Sequence, residues 1–244
     1  MARGAPDYNQ SVIAGGGILT DGWQDFPDVA TYVNANQFDI PGDLSESSAN
    51  PVFSVGAKIK LIQGIVTKFF YVTDSTFGGV NTRVTIYAGA DYSLINAAIA
   101  IPKINYNEVA PGFPDWFSLV GLGTWGGGAP MTVVVTTTRA HLFIMRGRQI
   151  TITCAVVVTT GVGGNGTMFY GPPTQLRPLI GQGTIAGAPA CAFVFDEGAA
   201  VPSQPGIGFV DASNQFIALQ KQAAVAWAIR AGTIICFTAI YPIN

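Results

Sequence analysis

Charge is what this sequence has least of. Of its 244 residues, 12 are Lys or Arg and 14 are Asp or Glu, 11% in all, against about 25% in ordinary soluble domains. The basic residues are scattered, and their densest group is Arg146-Gly147-Arg148, which reads as a solvated hairpin tip. With a net charge of −2 there is no basic stripe, so no nucleic-acid partner is expected. Histidine occurs once, as His141, and the three cysteines, Cys154, Cys191 and Cys236, are widely spaced. That inventory speaks against a zinc site and against a disulfide framework. Each cysteine lies among apolar neighbours and reads as a small buried hydrophobe. Long apolar runs are also missing. Hydrophobic residues make up 49% of the chain, yet no run approaches the roughly 20 residues of a membrane helix, so no membrane insertion is expected. The first residues, "MARGAPDYNQSVIAGGGIL", lack the continuous apolar stretch of a secretory signal. Without one, Asn165-Gly166-Thr167 carries little weight as a glycosylation acceptor.

What remains is a succession of short alternating runs broken by Gly, Pro, Asn and Asp, the pattern of an all-β protein. Residues 1–22 are Gly-rich and weakly patterned, and are expected to form an N-terminal arm that docks on a neighbour. Residues 23–117 read as a small antiparallel β module, a partial barrel. Within it, Ile59 and Leu61 share one face and Lys58 and Lys60 the other, as in a half-buried strand. "KFFYVTD" and "TRVTIYAG" flank Gly78-Gly79-Val80-Asn81, whose residues tolerate positive φ, and read as a hairpin. "SLINAAIAI" is expected to make one or two helical turns over 94–99. Residues 118–131, with Gly126-Gly127-Gly128 and Pro130, read as a linker. Residues 132–244 carry many strand-like runs with turn signals between them and read as a jelly-roll-like β-sandwich. An apolar, charge-poor composition of this kind implies a surface partly covered by other chains.

The chain offers little for catalysis. His141 sits inside a strand pattern, and no Gly-x-Ser-x-Gly elbow accompanies it, so a packed imidazole is expected in place of a triad member. Asp21, Asp25 and Asp28 cluster in "TDGWQDFPD" but do not follow a calcium-loop pattern. Asp196 and Glu197 are adjacent, so on a strand they would point to opposite faces and could not flank one glycosidic bond. "GVGGNG" shares only composition with a dinucleotide fingerprint, since no helical pattern follows. No catalytic residue, metal ligand or cofactor is therefore assigned. Trp23, Trp116, Trp125 and Trp227 are candidates for a sugar-stacking platform or, more simply, for core and interface packing.

Residues 38–117 resemble a module that recurs in virion proteins of tailed bacteriophages. The resemblance runs through "FDIPGDLSESSANPVFSVGAKIKLIQ", "KFFYVTDSTFGGVNTRVTIYAGADYSLINAAI" and "APGFPDWF". It is carried by Gly56, Lys58, Ile59, Lys60, Asp91, Tyr92, Leu94, Asn96, Ala97, Ala98, Ile99, Gly112, Phe113 and Pro114, with Ala88-Gly89 where the module usually has Gly-Gly. The following domain is similar, more loosely, to the β-sandwich that often comes after that module. The resemblance implies a non-enzymatic virion structural protein, tail- or fibre-associated or of the capsid-decoration type. It also implies a homo-oligomer, a trimer, in contact with other phage virion proteins and assembled in the host cytoplasm. A host-surface glycan-binding adhesin is the alternative.

Overall fold

The computed structural model describes residues 22–161, 167–178, 191–196, 204–211, 215–221 and 230–243. All of the expected arm (residues 1–22) except Gly22, together with Glu197, Trp227 and most of the "GVGGNG" loop, lies outside the described residues, and Asp21 with it. The fold is all-β, and every strand pair among the described residues is antiparallel.

Seven strands form the first sheet, in the order β1-β7-β4-β5-β6-β3-β2. They are β1 (Gln24–Asp25), β2 (Thr31–Asn34), β3 (Gln37–Pro41), β4 (Lys58–Gln63), β5 (Val66–Phe77), β6 (Asn81–Tyr87) and β7 (Ala100–Asn105). The expected hairpin is β5–β6, turning through Gly79 at φ +91°. Its inward residues Phe70, Val72, Val84 and Ile86 are fully buried. Strand β4 departs from the half-buried expectation, because both of its faces are covered. Trp23 and the segment around Phe113 lie over the lysine side: Lys60 Nζ sits 4.4 Å from the Trp23 ring centre, and Lys58 Nζ lies 5.8 Å from the ring centres of Tyr71 and Phe113. The long aliphatic stems of the lysines pack there while their ammonium groups meet aromatic faces.

Residues 94–99 are not helical. Their backbone groups are satisfied across the fold instead. Buried Gln63 donates to the carbonyls of Ile95 and Ala97 (2.9 and 3.2 Å) and accepts from the Ile95 N–H (3.0 Å), while Leu94 N–H donates to Ala35 O. Tertiary partners of this quality remove the need for an intrahelical ladder.

The second sheet has nine strands in the order β8-β10-β11-β16-β13-β14-β15-β12-β9. They are β8 (Phe117–Ser118), β9 (Thr124–Gly127), β10 (Thr132–Arg146), β11 (Gln149–Gly161), β12 (Thr167–Gly171), β13 (Cys191–Asp196), β14 (Gln204–Asp211), β15 (Phe216–Lys221) and β16 (Arg230–Pro242). Segment 118–131, read as a linker, thus contributes to both edges of this sheet: β8 pairs with β10, and β9 with β12. The sheet folds over so that β9 approaches β10, giving a sandwich-like layer pair; neither sheet closes into a barrel. Period-two alternation puts Phe143, Met145, Ile150, Ile152, Cys154, Val156, Tyr170 and Phe237 into the space between the layers.

The two sheets share one core. Phe143 of β10 lies between Tyr87 and Phe117, with ring centres 5.6 Å from each, and 6.1 Å from Tyr71. Two glycines set the approach of the sheets. Gly56 (φ +88°) faces the backbone of Gly147, and Gly89 (φ +62°) faces the carbonyl of Ser118; a Cβ at either would collide with backbone. The Ala88-Gly89 departure therefore keeps a glycine at the position where the close approach occurs.

Candidate functional site

The described residues that were candidates for chemistry are engaged as follows. His141 is 3% exposed, and its Nε2 lies 2.8 Å from the Tyr170 hydroxyl. Burial pulls its pKa down to about 4 against a backbone bond at Leu119 that favours the charged form, so the ring is neutral at pH 7. Nε2 and the Tyr170 hydroxyl share one hydrogen bond inside the core. Asp25 pairs with Lys103 (3.2 Å), and Asp28 accepts from the Val29 N–H (2.7 Å). Among the described residues no group of three His, Cys, Asp or Glu is placed to hold a metal. Asp196 ends strand β13 and faces Ile234 of β16 across the ladder.

Cys154 is buried and Cys236 exposed, and both are free. They sit on neighbouring strands but on opposite faces, since Cys236 pairs with Ala155. Burial raises the Cys154 thiol to about 12. The expectation that every cysteine is buried thus fails at Cys236, because its strand position alternates outward. Trp23 is buried and donates to Pro111 O (3.0 Å), Trp125 packs on Tyr170, and Trp116 is exposed.

The Arg146-Gly147-Arg148 tip is a two-residue hairpin turn with Gly147 at φ +58°. It is docked on the first sheet, where a solvated turn was expected. Arg146 pairs with Glu108 (3.1 Å) and Arg148 with Glu46 (2.6 Å). Both pairs are largely exposed and each contributes at most about 1 kcal/mol. Beneath them lies a crevice of about 600 Å³ that reaches Lys58. Burial lowers the Lys58 pKa, Glu108 opposes that shift and Arg146 reinforces it. Its ammonium donates to Asn107 O at 2.6 Å.

A second concavity, about 440 Å³, lies on the outer face of β3, β5 and β6. The Arg83 guanidinium grips the Asp39 carboxylate there with two bonds of 2.9 Å. Its one strong cation is thereby already committed to a protein carboxylate.

The most distinctive surface is the outer face of β10, β11 and β16. In register across it lie Ile144, Thr151 and Ile240, then Leu142, Thr153 and Thr238, then Ala155 and Cys236 with Ala140. Val157 and Ile234 continue the face. None of these side chains is charged; Arg139 borders the face at a bulge and Arg146 at the hairpin tip. Val134 and Ile240 are the most open to water, at 59% and 49%, while Leu142, Ile144, Val157 and Ile234 are half-buried. The Thr153 and Thr238 hydroxyls bond each other across the strands at 3.2 Å, leaving little unmet polarity.

Compared with protein families, curated proteins and solved structures, the chain matches none.

Proposed function

We propose that this chain is a non-enzymatic structural component of a tailed-bacteriophage virion, working as a homotrimer in a tail- or fibre-associated position or as capsid decoration. The observation that carries the assembly reading is the uncharged outer face of β10–β11–β16. Three strands about 4.8 Å apart and about 43 Å long cover roughly 600 Å² in projection, taking β11 at its 13 residues. Side-chain relief raises the accessible area toward the ~800 Å² per partner of a standard interface. Identical faces that lack charge meet without like-charge repulsion, so the occupant that fits is a second copy of the same face. Three such faces around one axis form a closed assembly with a dry centre.

The virion reading is supported by the ordered segments of residues 38–117. Several of the residues that carry the resemblance have work in the construction. Gly56 admits the hairpin tip, Phe113 covers the lysine side of β4 at Lys58, and the Asp91 carboxylate accepts from the Ser118 N–H at 2.6 Å. A module whose distinctive residues hold two sheets together suits a protein that works by keeping its shape among neighbours.

Light scattering after size exclusion tests the proposal. The expected mass is three times that of the chain, and the double variant Ile144→Lys/Ile240→Lys is expected to elute as a monomer with unchanged far-UV circular dichroism. A wild-type chain that stays monomeric overturns the assembly reading, and so does a double variant that still trimerises.

A further inference from the structure

The opposite outer face of the second sheet carries a different kind of surface. Here β9, β12 and β15 lie side by side, and a cavity of about 260 Å³ opens over them. Phe169 points outward from β12 and packs against Phe216 of β15, with ring centres 4.6 Å apart. Opposite Phe169 in the ladder is Gly126, beside which a Cβ would meet nothing within 4 Å. The flank of the Phe169 ring is therefore left open at the one position where a side chain would have covered it. Arg177 projects into the cavity from the end of a 3-10 turn (Thr174–Leu176), is exposed, and has no ion-pair partner among the described residues. Gln215, in the left-handed region at φ +58°, donates to Pro178 O at 3.4 Å and lines the same cavity.

We infer that this cavity binds one acidic sugar residue of a polysaccharide. The volume lies below the ~300 Å³ at which drug-sized sites begin and suits a single ring. The aromatic pair supplies an apolar platform for the C–H face of a pyranose. The Arg177 guanidinium, a planar fork with no carboxylate partner among the described residues, matches a uronate-type carboxylate in two-bond geometry. The amide of Gln215 and the hydroxyl of Thr124 are placed at the cavity wall for ring hydroxyls. Tyr170 points inward to His141 while its neighbour Phe169 points outward, so this site lies on the side away from Leu142 and Ile144. The inference does not depend on the oligomeric state.

The experiment uses the full chain with trigalacturonate and its methyl ester as probes, read by saturation-transfer NMR and titration calorimetry. Trigalacturonate is expected to bind saturably. Arg177→Gln is expected to weaken it about tenfold or more, the loss expected of one charge-assisted pair. Gly126→Val places a side chain over the platform at a strand position with free space. It is expected to abolish binding while leaving the thermal unfolding midpoint within a few degrees. Absence of saturable binding to either probe overturns the site. Binding that survives both variants overturns its location, and equal affinity for the methyl ester overturns the acidic class.

Discussion

His141 shows how a lone histidine becomes part of a core. Its ring is enclosed between the two layers and bonded to Tyr170, whose own hydroxyl burial pushes far above the usual tyrosine range. In the unfolded chain an imidazole titrates near 6.5, whereas in the fold it titrates near 4. Between those values the unfolded state holds a proton that the folded state does not, so stability rises with pH there. The His141 contribution is fully present above about pH 6.5 and is lost as pH falls toward 4, by up to about 3 kcal/mol. Urea unfolding at a series of pH values checks this. The wild-type midpoint should drop between pH 6.5 and 4.5, and His141→Gln should be less stable at pH 7 yet flatter over that interval. An equal slope in both proteins would locate the dependence elsewhere.

At the level of elements, the sequence pattern reads well where alternation is long and turn residues are placed between runs. The β5–β6 and β10–β11 hairpins and the buried row Ile150, Ile152, Cys154 come directly from period two and from Gly79 and Gly147. Strands β8 and β9 are illegible for the converse reason. Two and four residues carry no period, and Gly126 and Gly127 look like linker because they have no side chain to show a face. The candidate surfaces were equally hidden: an uncharged outer face emerges only when β16 is laid against β11, a pairing of residues about 85 positions apart. Segment 94–99 misled through its alanines, because the group that decides its conformation is Gln63, some 32 residues upstream. Replacing Gln63 with Leu keeps the volume, removes three hydrogen bonds to the part-buried backbone of Ile95 and Ala97, and takes one acceptor from the Lys68 ammonium. The expected cost is about 2–3 kcal/mol, the desolvation penalty of groups left unpaired. Denaturant titration measures it, and faster hydrogen exchange at the Ile95 amide should accompany it. A loss below about 0.5 kcal/mol, the range of a surface change, would mean that the segment holds its path without Gln63.

At the scale of the whole molecule, the two sheets are joined by more than a chain connection. The aromatic cluster around Phe143 draws one residue from β10, one from β8 and two from the first sheet, and the Tyr71 hydroxyl reaches the Met145 backbone. Burial in that cluster raises both Tyr71 and Tyr87 to about 12, so neither ionises near neutral pH. Gly56 and Gly89 let the backbones meet, and the two arginine–glutamate pairs close the crevice rim. A protein built this way presents both outer faces of its second sheet at a fixed angle to the first, which is what simultaneous contacts require. The consequence is cooperative unfolding. Far-UV circular dichroism, near-UV circular dichroism and tryptophan fluorescence should trace one coincident transition, although Trp23 reports on the first sheet and Trp125 on the second. Phe143→Ala removes a fully buried ring from the shared cluster and should cost about 3–5 kcal/mol. Its effect should appear equally in the signals from both sheets, because each loses the same partner. Gly89→Ala should act in the same direction through the Ser118 carbonyl, with strain at positive φ added to the collision. If Phe143→Ala instead splits the transition, with the Trp23 signal unmoved, the first sheet folds on its own and the shared cluster only tethers it.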